Sequence, residues 1–186
     1  MAIDWNFELV DQLESHWQQQ LRPRLDGLTD DEYFWQPVPG CWTISRRGES
    51  SAPVSIGAGE FTIDSAHEPV SPEPVTTIAW RLGHLLAVFG MPGTPHFDRP
   101  AGPPAELSFP GTAAEALRRL DEGHDAWLAD VRLLGADGLT RPQGALSPPQ
   151  FADAPMARLI MYTHLEVIHH GAEICLLRDL YRAKFR

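Results

Sequence analysis

The residues with the clearest chemical potential lie in one apolar segment near the C-terminus, where Glu166 and His170 are four positions apart. In a helix, this spacing puts both side chains on one face, one turn from each other. Glu173 extends the polar stripe by three further residues. An ionised carboxylate in apolar surroundings costs several kcal/mol unless it is paired or bound to a cation. A divalent ion held by Glu and His would remove that cost, so the spacing indicates a metal site.

A third ligand can come from the middle of the chain. His84 lies in a helical and largely apolar stretch that runs from Ile78 to Leu86. A catalytic metal site needs about three protein ligands and one open position for water or substrate. Gly83, next to this histidine, would permit either close packing or ligand access. His84 is therefore a candidate third ligand beside Glu166 and His170.

The residues alone also permit other interpretations. His84 could be a hydrogen-bonded histidine of the core, and Glu166 with His170 could be a polar pair on the surface. In another helical register, His164 or His169 would replace His170. Spacing does not decide between these alternatives.

Other kinds of site find little support in the sequence. Cys41 and Cys175 have no CxxC spacing, and the chain has neither a phosphate-binding glycine loop nor a serine-hydrolase elbow. The formal net charge of -10 disfavours binding to nucleic acid or to an anionic membrane. Trp35, Trp42 and Trp80 could line a pocket, although packing in the core is the alternative role for each.

Four helices are needed to position these residues. Apolar periodicity and end signals predict them over residues 4–22, from between 71 and 77 to 90, 112–135 and 153–181, with a short helical turn at 30–35. Thr112 and Glu115 form a capping box, and Gly135 is a C-terminal cap. The last helix is apolar nearly all round, which predicts burial on most sides.

Long connections rich in Pro, Gly and Ser separate the helices, at 38–69, 91–111 and 136–152. Alternating apolar residues at 55–64 could form a short hairpin in the first of them. We expect an all-α fold, a four-helix bundle with long Pro/Gly-rich loops, in a single domain over residues 1–186. No segment has the pattern of a secretion signal or a membrane span, so we expect a cytoplasmic protein.

The chain resembles the DinB-like superfamily of four-helix-bundle metalloproteins over nearly its whole length. Three segments in order carry the resemblance: Asp31 to Pro37 with Trp42 after it, Trp80 to His84, and His164 to Glu173 continuing to Leu180. In that family, one His on the second helix and two residues four apart on the last helix hold a divalent metal. The resemblance puts His84, Glu166 and His170 at these places.

The His/Glu/His set is similar to the branch that contains the mycothiol-dependent maleylpyruvate isomerase. This resemblance implies a zinc or nickel ion, a low-molecular-weight thiol such as mycothiol, and a transfer or isomerisation of a small substrate. Hydrolysis at the metal and a non-catalytic metal-binding role are the alternatives, and homodimers are common in the family. Four residues are expected to line the pocket or to support the ligands: Trp42, Trp80, His169 and Glu173.

Overall fold

The computed structural model describes residues 3–90, 97 and 107–185, and most of these residues are helical. The helices are α1 (Trp5–His16), α2 (Arg22–Leu25), α3 (Asp30–Tyr33), α4 (Ile78–Val88), α5 (Ala113–Gly138) and α6 (Met156–Lys184). Among the four longest helices, α1 and α4 each contact both α5 and α6. Their apolar faces enclose one shared core. The predicted predominance of helix is confirmed.

The sequence predicted that the first helix ends before Pro23, but in the structure the helical path continues past this proline. After α1 the chain forms a π-helical turn, Trp17–Leu21, and continues directly into α2, which contains Pro23. Proline has no N–H to donate, and its ring clashes with the carbonyl four residues earlier in a regular α-helix. The wider π turn directly before Arg22 changes the position of those carbonyls, so the helical path can continue past the proline.

The predicted ends of α4 and α5 are largely confirmed. Thr77 caps α4 by accepting a hydrogen bond from the Trp80 N–H, and Gly90 follows the helix with φ of 86°. Thr112 caps α5 by accepting from the Glu115 N–H, which is one half of the predicted capping box. Gly135 breaks the regular helix with φ of 63°, and one more turn follows it to Gly138.

A small antiparallel sheet is the main departure from the all-α expectation. Its strands are β1 (Ile44–Arg46), β2 (Val54–Ile56) and β3 (Phe61–Ser65), in the order β1-β3-β2. The hairpin suggested at 55–64 is the β2–β3 pair. The first strand was missed because three residues are too few to show an alternating pattern.

This sheet packs against α4 next to the candidate site. Gly83 lets the helix approach the sheet, because a Cβ atom there would lie 2.8 Å from Cδ1 of Ile44. The indole of Trp80 donates a hydrogen bond to the backbone carbonyl of Asp64 on β3, at 2.9 Å. The sheet thus fixes the rotation of the helix that carries His84.

The prediction that α6 is buried on most sides is wrong. One face packs against α1 and α4, while about half of the side chain is exposed at several apolar positions elsewhere around the helix: Met161, Tyr162, Leu165, Leu176 and Leu180. Apolar residues occupy both faces, so the sequence pattern could not tell which one is covered. Two short 3₁₀ turns, Gly144–Leu146 and Pro149–Phe151, lie in the connection before α6.

The predicted connection at 91–111 lies mostly outside the described residues. Within the described part of the chain, none of the helices combines the length and the apolar character that crossing a membrane requires.

Candidate metal centre

Helices α4 and α6 bring His84, Glu166 and His170 together. Oε2 of Glu166 lies 3.0 Å from Nε2 of His84 and 3.2 Å from Nε2 of His170. One donor atom from each residue can be chosen so that all three lie within 4.8 Å of one another. All three side chains are partly buried, with exposed fractions of 31%, 17% and 14% in chain order.

These donor atoms suit a transition-metal ion. Two imidazole nitrogens and a carboxylate oxygen are ordinary ligands of zinc, and neighbouring ligand atoms of a tetrahedral zinc ion lie about 3.3 Å apart. The two distances measured at Glu166 are close to that value. The arrangement therefore needs little adjustment to hold an ion.

The ring of His170 gives independent support, because it lies between two carboxylates. Its Nδ1 is 2.8 Å from Oε2 of Glu173, and its Nε2 is 3.2 Å from Oε2 of Glu166. Burial, followed by the nearby charges of His84 and Arg81, lowers the pKa of His170 to about 4, so the ring is neutral at neutral pH. A neutral imidazole has one N–H, so one ring nitrogen faces a carboxylate oxygen with no proton between them. A cation next to Glu166 would remove that repulsion.

Glu166 is held in its ionised form. Burial alone raises the pKa of this carboxyl, but hydrogen bonds from His84 and Tyr162 outweigh it, and the net pKa is below the ordinary value. Burial, together with this hydrogen bond to Glu166, raises the pKa of Tyr162, so its hydroxyl keeps the proton that it donates. The carboxylate is thus available as a ligand over the physiological pH range.

His170, and not His169, faces the other two residues of the trio. The side chain of His169 is 62% exposed, and its Nε2 lies 3.6 Å from Oε1 of Glu173. His164 is buried elsewhere, between the Trp127 indole at 3.5 Å and the Gln12 amide at 3.2 Å. The structure therefore decides the register that the sequence left open.

A cavity of about 540 Å³ opens beside the ring of His170. The cavity lining includes the four residues expected either to line a pocket or to support the ligands: Trp42, Trp80, His169 and Glu173. The indole of Trp80 also stacks on His84, and its centroid lies 6.4 Å from that of Trp42. Trp35 is elsewhere, against Tyr181 and Phe185.

Two residues of this region were missed at the level of sequence. Arg81 forms an ion pair with Glu173, and its Nη1 lies 3.1 Å from Nδ1 of His170. Tyr162 donates to Glu166. A signal for both was available, because Arg81 precedes His84 by three residues and Tyr162 precedes Glu166 by four, which are the spacings of one helix face.

Comparison with known proteins agrees with the three segments that carried the resemblance. The family model of the DinB superfamily matches residues 12–174. Neither curated proteins nor solved structures gave a significant match. The family model covers most of the chain, including His84, Glu166 and His170, so the chain belongs to the DinB superfamily.

Proposed function

We propose that this protein is a metal-dependent enzyme whose ion, zinc or nickel, is held by His84, Glu166 and His170. The observation that carries the proposal is the convergence of three donor atoms from two helices within 4.8 Å, beside a cavity. Three protein donors leave one position of a tetrahedral ion open, as catalytic sites do and structural sites do not. The arrangement of the four longest helices supports a four-helix bundle as the scaffold.

The reaction that we propose is a transfer or isomerisation that uses a low-molecular-weight thiol such as mycothiol. An ion of this kind lowers the pKa of a thiol or water molecule that binds it, which supplies a nucleophile near neutral pH. The similarity of the His/Glu/His set to the mycothiol-dependent branch supports a thiol over water. A cavity of about 540 Å³ is large enough for a thiol and a small second substrate.

The protein residues around the trio have the roles of binding and orientation. Glu173 accepts a hydrogen bond from Nδ1 of His170, which directs Nε2 toward Glu166. Trp80 covers one face of His84 and is itself fixed by its hydrogen bond to the sheet. Trp42 supplies a flat apolar wall for the organic part of a ligand.

Metal content is the first test of the trio. The protein would be purified without a chelating tag, and its metal would be measured by elemental mass spectrometry beside Glu166→Ala, His84→Ala and His170→Ala. We expect an equimolar transition metal in the wild type and its loss in each variant. His169→Ala is the matched control on the same helix and should keep the metal. Stoichiometric metal in both His84→Ala and His170→Ala would contradict the proposed site.

Thiol dependence is the test of the reaction. The metal-loaded protein would be incubated with electrophilic and isomerisable small substrates, with and without an added thiol. Turnover that requires the thiol and is abolished in Glu166→Ala would support a transferase or isomerase. Turnover without thiol would favour the hydrolase, which is the main alternative. A tightly bound ion that accepts no exogenous ligand would favour a non-catalytic role.

A further inference from the structure

A second cluster of ligand-type residues shares His170 with the proposed site. His169, His170 and Glu173 each offer one donor atom, and these three atoms also lie within 4.8 Å of one another. The two clusters use His170 from different sides of its ring. Nε2 faces Glu166 at 3.2 Å, and Nδ1 faces Glu173 at 2.8 Å. A ring held in this way could join two metal ions, one at each nitrogen, if its remaining N–H proton is released to solvent so that it bridges as an imidazolate.

The positively charged guanidinium of Arg81 lies at the second cluster. Nη1 of Arg81 is paired with the carboxylate of Glu173 and lies 3.1 Å from Nδ1 of His170. This side chain is only 14% exposed, and it reaches the cluster from the neighbouring helix. The guanidinium therefore lies against two of the three donors that a second ion would need.

The burial of Arg81 is not explained by good hydrogen bonding. Its Nε is buried and has no hydrogen-bond partner, and leaving such a donor unsatisfied costs free energy. What the guanidinium gains is its contact with the Glu173 carboxylate. Without the positive charge of Arg81, only the proposed metal ion would balance the negative charges of Glu166 and Glu173 on either side of His170.

We propose that the guanidinium of Arg81 occupies the second cation position of this cluster, so that the site takes a single metal ion instead of two. Arg81 is a positioning residue in this view, because it holds Glu173 against His170 and excludes a second ion from the donors His169, His170 and Glu173. The inference rests on the proposed trio for the first ion. It goes further by assigning a latent second metal site to His169 and Glu173 together with the shared His170.

The test is the zinc stoichiometry of variants that keep or remove the charge. Wild type, Arg81→Lys and Arg81→Gln would each be equilibrated with excess zinc, separated from free ions on a desalting column, and analysed for zinc per chain. We expect a single ion in the wild type and in Arg81→Lys, and a second one in Arg81→Gln. The double variant Arg81→Gln/Glu173→Gln should return to a single ion, because it lacks the carboxylate of the second cluster.

The outcomes separate this inference from the proposed function. A wild type that binds no zinc would refute the trio itself. A wild type with one ion and a folded Arg81→Gln that also has one would overturn the exclusion by Arg81, and so would a wild type that takes two. Circular dichroism checks the fold, and Arg81→Met replaces Arg81→Gln if the latter does not fold. In Arg81→Gln/His84→Ala, a retained ion would belong to the second cluster.

Discussion

The imidazole of His84 lies flat against the indole of Trp80, with ring centroids 5.5 Å apart and planes inclined by 9°. The indole is in turn anchored to the sheet through its hydrogen bond to the Asp64 carbonyl. The orientation of a proposed metal ligand therefore depends on a strand that precedes it by about twenty residues. Support of this kind is worth about 10–100-fold in metal affinity where it has been removed from metal sites.

Replacing Trp80 by leucine should weaken metal binding without abolishing it. The variant loses both the stacked surface and the indole N–H, so we expect zinc affinity to fall by about tenfold or more. Competition with a chromophoric chelator would measure the change. Trp42→Leu is the matched control, because Trp42 lines the cavity but is not stacked on a ligand. Equal losses in both variants would show that the stacking has no special role.

The hydroxyl of Tyr162 should strengthen metal binding through its hydrogen bond to Glu166. In Tyr162→Phe the carboxylate loses one of the hydrogen bonds that hold its pKa down. We expect the ion to be retained at neutral pH, with an affinity lower by up to about tenfold, and with release beginning at a higher pH than in the wild type. A pH titration of zinc release would measure both effects. Unchanged release in the variant would contradict the assigned hydrogen bond.

A buried ion pair that includes none of the candidate metal ligands joins α6 to α3. Nη2 of Arg178 lies 3.0 Å from Oε2 of Glu32, and both side chains are at most 5% exposed. Removing one partner of such a pair leaves a buried charge, so Glu32→Gln should lower the free energy of unfolding by about 3–5 kcal/mol at pH 7. Urea denaturation would measure this loss. Glu122→Gln, which breaks an exposed ion pair with Arg118, should have little effect.

The loss of stability caused by Glu32→Gln should be smaller in strongly acidic buffer than at neutral pH. Burial raises the pKa of Glu32, but the hydrogen bonds from Arg178 and Thr29 outweigh it, so the folded pKa is lower than the unfolded value. The stabilisation is thus present above the unfolded pKa of about 4.3 and is lost as the pH falls through the folded pKa. The difference between wild type and variant should shrink in strongly acidic buffer. A difference that grows with acidity would contradict the pairing.

Gly83→Ala should destabilise the contact between α4 and the sheet. The new methyl group would lie 2.8 Å from Cδ1 of Ile44 and 3.2 Å from Cδ1 of Ile63, and both isoleucines are buried. Overpacking of this kind costs about 1–3 kcal/mol, and the better helix propensity of alanine offsets about 1 kcal/mol of it. A Tm lower by a few degrees is expected from a thermal melt. A higher Tm would show that the isoleucines can move aside.

The sequence could predict the parts of the site that lie on one helix. Glu166 and His170 are four apart in a long periodic segment, so their shared face followed from helix geometry alone. The approach of His84 could not be derived in the same way. It depends on how α4 rotates against the sheet, and a three-residue strand gives almost no periodic signal. The family resemblance, and not the spacing, linked the two helices.

Burial was the property that sequence predicted least well. Leu165 and Leu176 belong to an apolar pattern but are 60% and 58% exposed, while Arg178 on the same helix is 1% exposed. The charge is buried because Glu32 and two backbone carbonyls at the C-terminal end of α2, those of Arg24 and Asp26, accept its hydrogen bonds. The groups that stabilise the Arg178 charge lie about 150 residues earlier in the chain. The hydropathy pattern of α6 carries no information about them.

The distance along the chain between His84 and Glu166, which is 82 residues, couples the centre to the folding of the whole protein. An unfolded chain rarely brings these residues together, so an ion at this position binds the native state almost exclusively. By mass action, free metal at a thousand times its dissociation constant would add about 4 kcal/mol to the stability of the fold. The availability of metal in the surroundings would then set how long the protein persists, as well as whether the proposed centre is occupied.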